Sequence, residues 1–468
     1  MRKRIFSFVF ILTFNTALLA QELLLQDHDV VVTLGNSITE MGEGPAGYVN
    51  LMRKALAVLY PERHIYFVNA GISGHKVTDM AERFQRDVLD ARPEWVTISV
   101  GVNDVWHGFL ARERNRPELT AVPLAHYREK VTEMIRRARA QQIKVALFTA
   151  TVIRENLSSP ENLALAPYNR AIREIARKEK CLLIDQDAAF RAVLLPLQQP
   201  GMKESGILTF DGVHMLPAGD ELMAVTALLA FGVPRTRLEQ GRGLIEAAVK
   251  KEKEDLDKSL ARYAEVNAEA GQPREEEKRV IFYGSSSVDN WNLARDFAGV
   301  PILNRGIGGE STHQFWLRYR QDVAQLKPYG MIFFCGSLND MWPDKRMNLD
   351  ESRANIARIS RMAASRGIKV AIGAIMPVND YIPGTEQMLA THPLDQMQEL
   401  NRWIRALCES QGYAYIDFYT SVADSTGKLR KELTNDGMHC NSAGYAIWKP
   451  LVDDVLRAWQ VIPSPGEL

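Results

Sequence analysis

At 468 residues the chain exceeds what one hydrophobic core ordinarily organises, so two to three domains are expected. Hydrophobic residues at 46% and charged residues at 24% are ordinary values for globular protein. The 57 Lys and Arg balance 57 Asp and Glu, which removes the net field that would draw in nucleic acid or an anionic membrane.

The chain opens on Arg2-Lys3-Arg4, runs through a short apolar stretch from Ile5 to Leu12, and reaches Ala17-Leu18-Leu19-Ala20. A basic start, an apolar centre and a small terminal residue predict a secretory signal peptide over residues 1–20, cleaved after Ala20. The apolar stretch is too short to span a bilayer, and no cysteine follows Ala20 to take a lipid. A secreted or periplasmic chain with no membrane span is therefore expected. The four cysteines, Cys181, Cys335, Cys408 and Cys440, form no CxxC pair, which points away from a disulfide scaffold and from a metal or redox site. Cys335 lies in an apolar run, and Cys440 directly follows His439; both are read as packing residues.

Six segments then recur in the same order. Val30 to Thr39 (VVVTLGNSIT) answers to Arg279 to Val288 (RVIFYGSSSV). Phe67 to Gly74 (FVNAGISG) answers to Ile302 to Gly309 (ILNRGIGG), and Trp95 to Asp104 (WVTISVGVND) to Met331 to Asp340 (MIFFCGSLND). Lys144 to Thr149 (KVALFT), Leu182 to Asp185 (LLID) and Leu208 to His214 (LTFDGVH) answer to Lys369 to Ala374 (KVAIGA), Ala414 to Asp417 (AYID) and Leu433 to His439 (LTNDGMH). This is a duplicated domain. The segments are short and rich in Val, Ile and Phe, and stretches with helical period such as His126 to Ala140 and Leu349 to Ser365 separate them. Strands alternating with helices predict a mainly parallel sheet of about five strands covered on both faces, hence two tandem three-layer α/β/α domains. The expected limits are 21–237 for the first domain and 275–468 for the second. Between them, 238–274 is charged and Ala-rich and reads as a linker helix ending at Gly271-Gln272-Pro273.

In open α/β sheets the working residues stand on loops at the carboxyl ends of strands. Ser37, Gly74, Asn103, Asp211 and His214 fall at such points, as do Ser286, Gly309, Asn339, Asp436 and His439. A serine hydroxyl becomes nucleophilic when an imidazole accepts its proton, and an aspartate on the other ring nitrogen fixes the tautomer. Asp211 and His214 are three apart, like Asp436 and His439, so one turn can hold each pair. The backbone N–H of the serine and of Gly74 or Gly309, with the side-chain amide of Asn103 or Asn339, supply three donors for a tetrahedral oxyanion. Trp106 and Trp342, each three residues beyond the asparagine, are candidate substrate-binding residues or core packing. No HExxH or carboxylate–histidine cluster calls for a metal, and no nucleotide glycine motif carries its partners, so no cofactor is expected.

These blocks, in this order and occurring twice, resemble the SGNH or GDSL hydrolase superfamily over nearly all of both halves. Gly35-Asn36-Ser37, Asn69 to Gly74, Gly101 to Asp104 and Asp211 to His214 look like its four blocks; Gly284-Ser285-Ser286, Asn304 to Gly309, Leu338-Asn339-Asp340 and Asp436 to His439 repeat them. The second half is similar to platelet-activating-factor acetylhydrolase catalytic subunits and related acetylesterases. The resemblance implies a flavodoxin-like three-layer fold and catalysis by Ser37, Asp211 and His214 and by Ser286, Asp436 and His439. Two departures stand out. Asn36 and Ser285 replace the aspartate usual before the nucleophile, and Ser337 replaces a glycine, which bears on where Asn339 sits. Ser285, Ser286 and Ser287 all qualify by type; register with Gly35 and Ser37 selects Ser286.

The expected function is hydrolysis of small O-acyl esters, chiefly acetyl groups on carbohydrate, by an exported serine esterase with two unequal sites. Two alternatives compete with it. One is a lysophospholipase or thioesterase acting on longer chains, which requires an apolar channel. The other is a second half that is a non-catalytic, glycan-binding module, against which the retention of Ser286, Asp436 and His439 speaks.

Overall fold

The structure, a computed structural model, describes residues 22–345 and 347–463. The expected signal peptide lies outside the described residues. The chain divides into two compact units, Met1–Lys253 and Glu254–Leu468.

The first unit is built on five parallel strands, β1 (Val30–Gly35), β2 (Tyr66–Gly71), β3 (Trp95–Ser99), β4 (Lys144–Phe148) and β5 (Leu182–Ile184), in the order β2-β1-β3-β4-β5. β1 is the pivot: Val31 pairs with Phe67 on one side and with Trp95 on the other. Every residue of β1 and β3 is buried, as a sheet with helices on both faces requires. Helices Tyr48–Leu59, Gln186–Leu194 and Pro217–Ala230 pack together on one face, and Val102–Glu113, Leu124–Ala140 and Pro160–Lys178 on the other.

The second unit repeats this with β6 (Val280–Gly284), β7 (Ile302–Gly306), β8 (Gly330–Phe334), β9 (Lys369–Gly373) and β10 (Ala414–Ile416), in the order β7-β6-β8-β9-β10. Alternate residues of β6 enter two different cores. Ile281 and Tyr283 join Phe315, Ile356 and Leu400, while Val280 and Phe282 join Trp291, Trp448 and Val452, which is the two-residue period of a strand read out in packing.

The charged stretch forms one 36-residue helix, Arg235–Ala270, with only Leu238 and Gly241 buried. Composition places the second domain's start near residue 275, whereas the compact units divide inside this helix, at Lys253 and Glu254. The physical reason is that the helix is shared. Its Glu252 pairs with Lys54 at 2.9 Å, whereas Asn267 donates to Asp322 at 2.9 Å. No helix among the described residues is long and apolar enough to cross a membrane.

Candidate active sites

In both sheets the order of the strands reverses at the first one, so the loops after β1, β2 and β3 meet at a single crevice. Those loops carry Ser37, Gly74 and Asn103, and the loop before helix Pro217–Ala230 brings in Asp211 and His214.

Ser37 opens the short helix Ser37–Met41, and the Asn36 side chain caps it by accepting from the Ile38 N–H at 3.0 Å. An amide oxygen thus does the capping that a carboxylate would do, so the Asn36 departure leaves the turn intact. Ser285 occupies the same cap position before Ser286 without a side-chain cap bond. The His214 Nε2 lies 2.8 Å from the Ser37 Oγ, and its Nδ1 lies 2.7 Å from Asp211 Oδ2. The second unit reproduces the distances: 2.8 Å from Ser286 Oγ to His439 Nε2 and 2.7 Å from His439 Nδ1 to Asp436 Oδ2. The turns between each acid and its histidine need glycine, because Gly212 and Gly437 sit at φ 92° and 79°.

The other oxygen of each aspartate accepts backbone N–H groups of its own turn: Val213 at 3.0 Å and His214 at 2.8 Å for Asp211, Met438 at 3.0 Å and His439 at 2.8 Å for Asp436. Burial acts to raise both carboxyls, but these bonds and the imidazole outweigh it and leave both below the usual carboxylate value. The acids therefore stay ionised where imidazole chemistry operates.

The Asn103 Nδ2 donates to the His75 carbonyl at 3.1 Å, and the Asn339 Nδ2 to the Glu310 carbonyl at 2.8 Å. An amide nitrogen carries two hydrogens, so each of these bonds uses one of the two. Asn339 is held like Asn103 although Ser337 stands where Gly101 takes φ 126°; Gly336 and Leu338 adopt φ 64° and 69° instead. Leu338 tolerates that conformation because its side chain is buried in the core.

Other candidates separate. The Trp106 ring meets the His214 ring edge-on at 6.4 Å. Trp342 is packed edge-on against the buried His392 at 4.8 Å. Among the described residues no ring contact joins it to His439. Cys440 is buried and its thiol is pushed up to about 12 by that burial, so beside His439 it is a packing residue. One cluster with metal-ligand geometry exists among the described residues, Asp27, His28 and His64; it is exposed and precedes β1 and β2, at the opposite end of the sheet from Ser37.

Three site features escaped sequence reasoning. Buried arginines tie the strand before each serine to the strand that leads into the Gly74 or Gly309 loop: Arg83 donates to the Gly35 and Ala70 carbonyls at 2.9 and 2.8 Å, and Arg318 to the Gly284 and Arg305 carbonyls at 3.0 and 2.9 Å. Each stands nine residues after its loop glycine, so aligning the repeats outside the six blocks would have found them. Glu155, fully buried, accepts from the N–H groups of Ile207, Leu208 and Thr209 and from the Thr209 hydroxyl, fastening the Asp211–His214 loop. Phe210 lies nearly parallel to the His214 ring, centroids 5.7 Å apart. Beside this group a cavity of about 220 Å³ opens, lined by Ile38, Met41, Pro45, His214 and Met215.

Duplicated parallel sheets with a serine, histidine and aspartate in bonding reach at the switch point are those of a carboxylic ester hydrolase. The chain belongs to the GDSL-like lipase/acylhydrolase family, whose model matches residues 33–222 and again 271–447. It is 30% identical over 213 residues to an acetylxylan esterase of Geobacillus stearothermophilus, covering 42% of this chain and 92% of that protein. It is 27% identical over 196 residues to the uncharacterized lipoprotein YqeF of Bacillus subtilis, covering 38% of this chain and 75% of that protein. The solved acetyl xylan esterase AlAXEase is 32% identical and matches 43% of this chain and 98% of its own, with a TM-score of 0.40. Each of these relatives corresponds to less than half of the chain, as a duplication predicts.

Proposed function

We propose that the protein is an exported esterase that removes small O-acyl groups, chiefly acetyl, from carbohydrates, with one acyl-enzyme forming at Ser37 and another at Ser286. The observation that carries this reading is the unbroken hydrogen-bond chain from serine through imidazole to aspartate, present twice with matching distances. The acetylxylan esterase relatives support the acetyl and carbohydrate parts, and the lipoprotein relative supports export.

In each site the Ser Oγ attacks the ester carbonyl while its proton passes to the imidazole Nε2. The oxyanion is met by the serine N–H, the N–H of Gly74 or Gly309 and the Asn103 or Asn339 amide. Collapse breaks the C–O bond, the imidazolium returns the proton to the sugar oxygen, and the deacylated sugar leaves. Water then attacks the acyl-enzyme with the same imidazole as base, releasing acetate and restoring the serine.

One observation favours a second reading. An apolar cavity of about 540 Å³ lies in the first unit and includes Leu51, Val225, Leu228 and Ile245 among its walls, and it shares Ala46 and Pro217 with the cavity beside His214. It offers a path for a longer acyl chain.

The test is acetate release from a panel of acetylated polysaccharides, and hydrolysis of short- and long-chain p-nitrophenyl esters, by Ser37→Ala, Ser286→Ala and the double variant. Each single variant is expected to lose part of the activity and the double variant all of it. Preference for long chains overturns the acetyl assignment. Full activity in Ser286→Ala removes the second site from catalysis.

A further inference from the structure

The two sites share their catalytic geometry but not their surroundings. In the first, Phe210 stands immediately before Asp211 and is 51% exposed, and Met41, on the wall of the catalytic cavity, is 47% exposed. A single exposed apolar side chain is ordinary. Two at one catalytic mouth, with the Trp106 ring edge-on to the same imidazole, form a local apolar collar. The Phe210 ring lies within 20° of parallel to the His214 ring at 5.7 Å. The phenyl is thus held alongside the imidazole with about half of the residue open to solvent.

The second site has no such collar. Aligning LTFDGVH with LTNDGMH puts Asn435 in the place of Phe210. Trp342 is engaged with His392. Among the described residues of the second unit the only exposed large hydrophobic is Val266, on the long helix and far in sequence from Ser286.

We propose that Phe210 is a sugar-stacking subsite of the first domain, which receives the pyranose ring adjoining the esterified one, and that the second domain, lacking it, acts on shorter acceptors. The inference rests on the carbohydrate-ester reading above. The apolar face of a pyranose presents C–H bonds whose positive ends complement the negative face of an aromatic ring. His214 already bonds Ser37, so the esterified residue must sit over that pair. The ring on the far side of Phe210 is then the next one along a chain. An oligosaccharide engages both positions and a monosaccharide only one.

The experiment compares an acetylated tetrasaccharide with the corresponding acetylated monosaccharide, reading kcat and KM for acetate release. Ser286→Ala reports the first site and Ser37→Ala the second. Expected is a preference for the tetrasaccharide on the order of five- to tenfold at the first site, carried by KM. Phe210→Ala in the Ser286→Ala protein should abolish that preference and Phe210→Trp should keep it. Asn435→Phe in the Ser37→Ala protein should create one. A preference that survives Phe210→Ala, or that the two sites share, overturns the proposal. A separate arm titrates the Ser37→Ala/Ser286→Ala protein with unesterified tetrasaccharide by calorimetry, with and without Phe210→Ala. Binding that Phe210→Ala weakens supports the subsite even if neither site cleaves sugar acetates, and binding that ignores the substitution overturns it.

Discussion

The guanidinium of Arg83 donates at 2.9 Å to the carbonyl of Gly35, two residues before Ser37. The same side chain holds the Ala70 carbonyl at the end of β2 and pairs with Asp87 at 2.7 Å. One rigid fork therefore sets the distance between the serine and the loop that bears Gly74. Lysine presents a point charge on a flexible stem and cannot reproduce the fork. In the Ser286→Ala protein, Arg83→Lys is expected to lower kcat about 10- to 100-fold with little change in KM, since displacements near 1 Å cost that much. Arg83→Met should in addition lower stability by about 1–3 kcal/mol, because the buried Gly35 and Ala70 carbonyls lose this donor, seen as an earlier unfolding transition. Arg318 predicts the same for the second site, where its side chain is fully buried between Glu310 and Asp322.

Glu155 makes a contrasting case, because the repeats diverge there. Its carboxylate collects three backbone N–H groups and a hydroxyl under the acid–histidine loop. Asp380, at the corresponding point, pairs instead with the partly exposed Lys428 at 2.8 Å. Replacing Glu155 by Gln turns one acceptor into a donor facing other donors, and each buried group left unpaired costs about 1–3 kcal/mol. Glu155→Gln should therefore destabilise the first unit by a few kcal/mol and reduce its kcat. Asp380→Asn should shift stability by less than about 1 kcal/mol. Denaturant titration and single-site kinetics check both; equal effects would show that the loop is not hung on Glu155.

The sequence carried the sheet and the pairing of each aspartate with its histidine because both are written in local pattern. Strands such as Val280–Gly284 are apolar and aromatic runs ending at glycine, and Asp211 reaches His214 across one turn. Register with Gly35 and Ser37 selects Ser286 from three adjacent serines, and the structure brings Ser37 and Ser286 each within 2.8 Å of its histidine. Arg83 and Arg318 are legible only once the repeats are aligned beyond the six blocks, and Glu155 is not legible even then. A glutamate after a strand looks like a solvated charge, and only the tertiary fold shows that backbone groups distant in sequence converge on it. Trp106 and Trp342 occupy the same position in the two copies, yet one meets the His214 ring edge-on and the other packs on His392. Identity at a repeat position does not determine what a long ring touches.

One partner of each arginine fork differs between the sites, and the difference is one of charge. The Arg83 Nε donates to the His75 Nδ1 at 3.1 Å, whereas Arg318 donates to the Glu310 carboxylate. An imidazole can accept that bond only while neutral. Burial lowers the His75 value, and the Arg83 charge lowers it further, against opposing pulls from Asp79 and Asp87 and a further push from Arg86. Its folded value thus lies below the unfolded one of about 6.5. As pH falls below about 6.5 the unfolded chain takes up the proton first, so stability of the Gly74 loop is present above that pH and declines below it. His75→Gln removes the titrating group and should flatten this decline. Hydrogen exchange of peptides spanning residues 69–87, at pH 7.5 and 5.5, reads it directly. The wild-type segment should lose protection at the lower pH, the His75→Gln segment should lose less, and the Gly309 loop should change least. Equal loss in both proteins would assign the acid sensitivity to some other group.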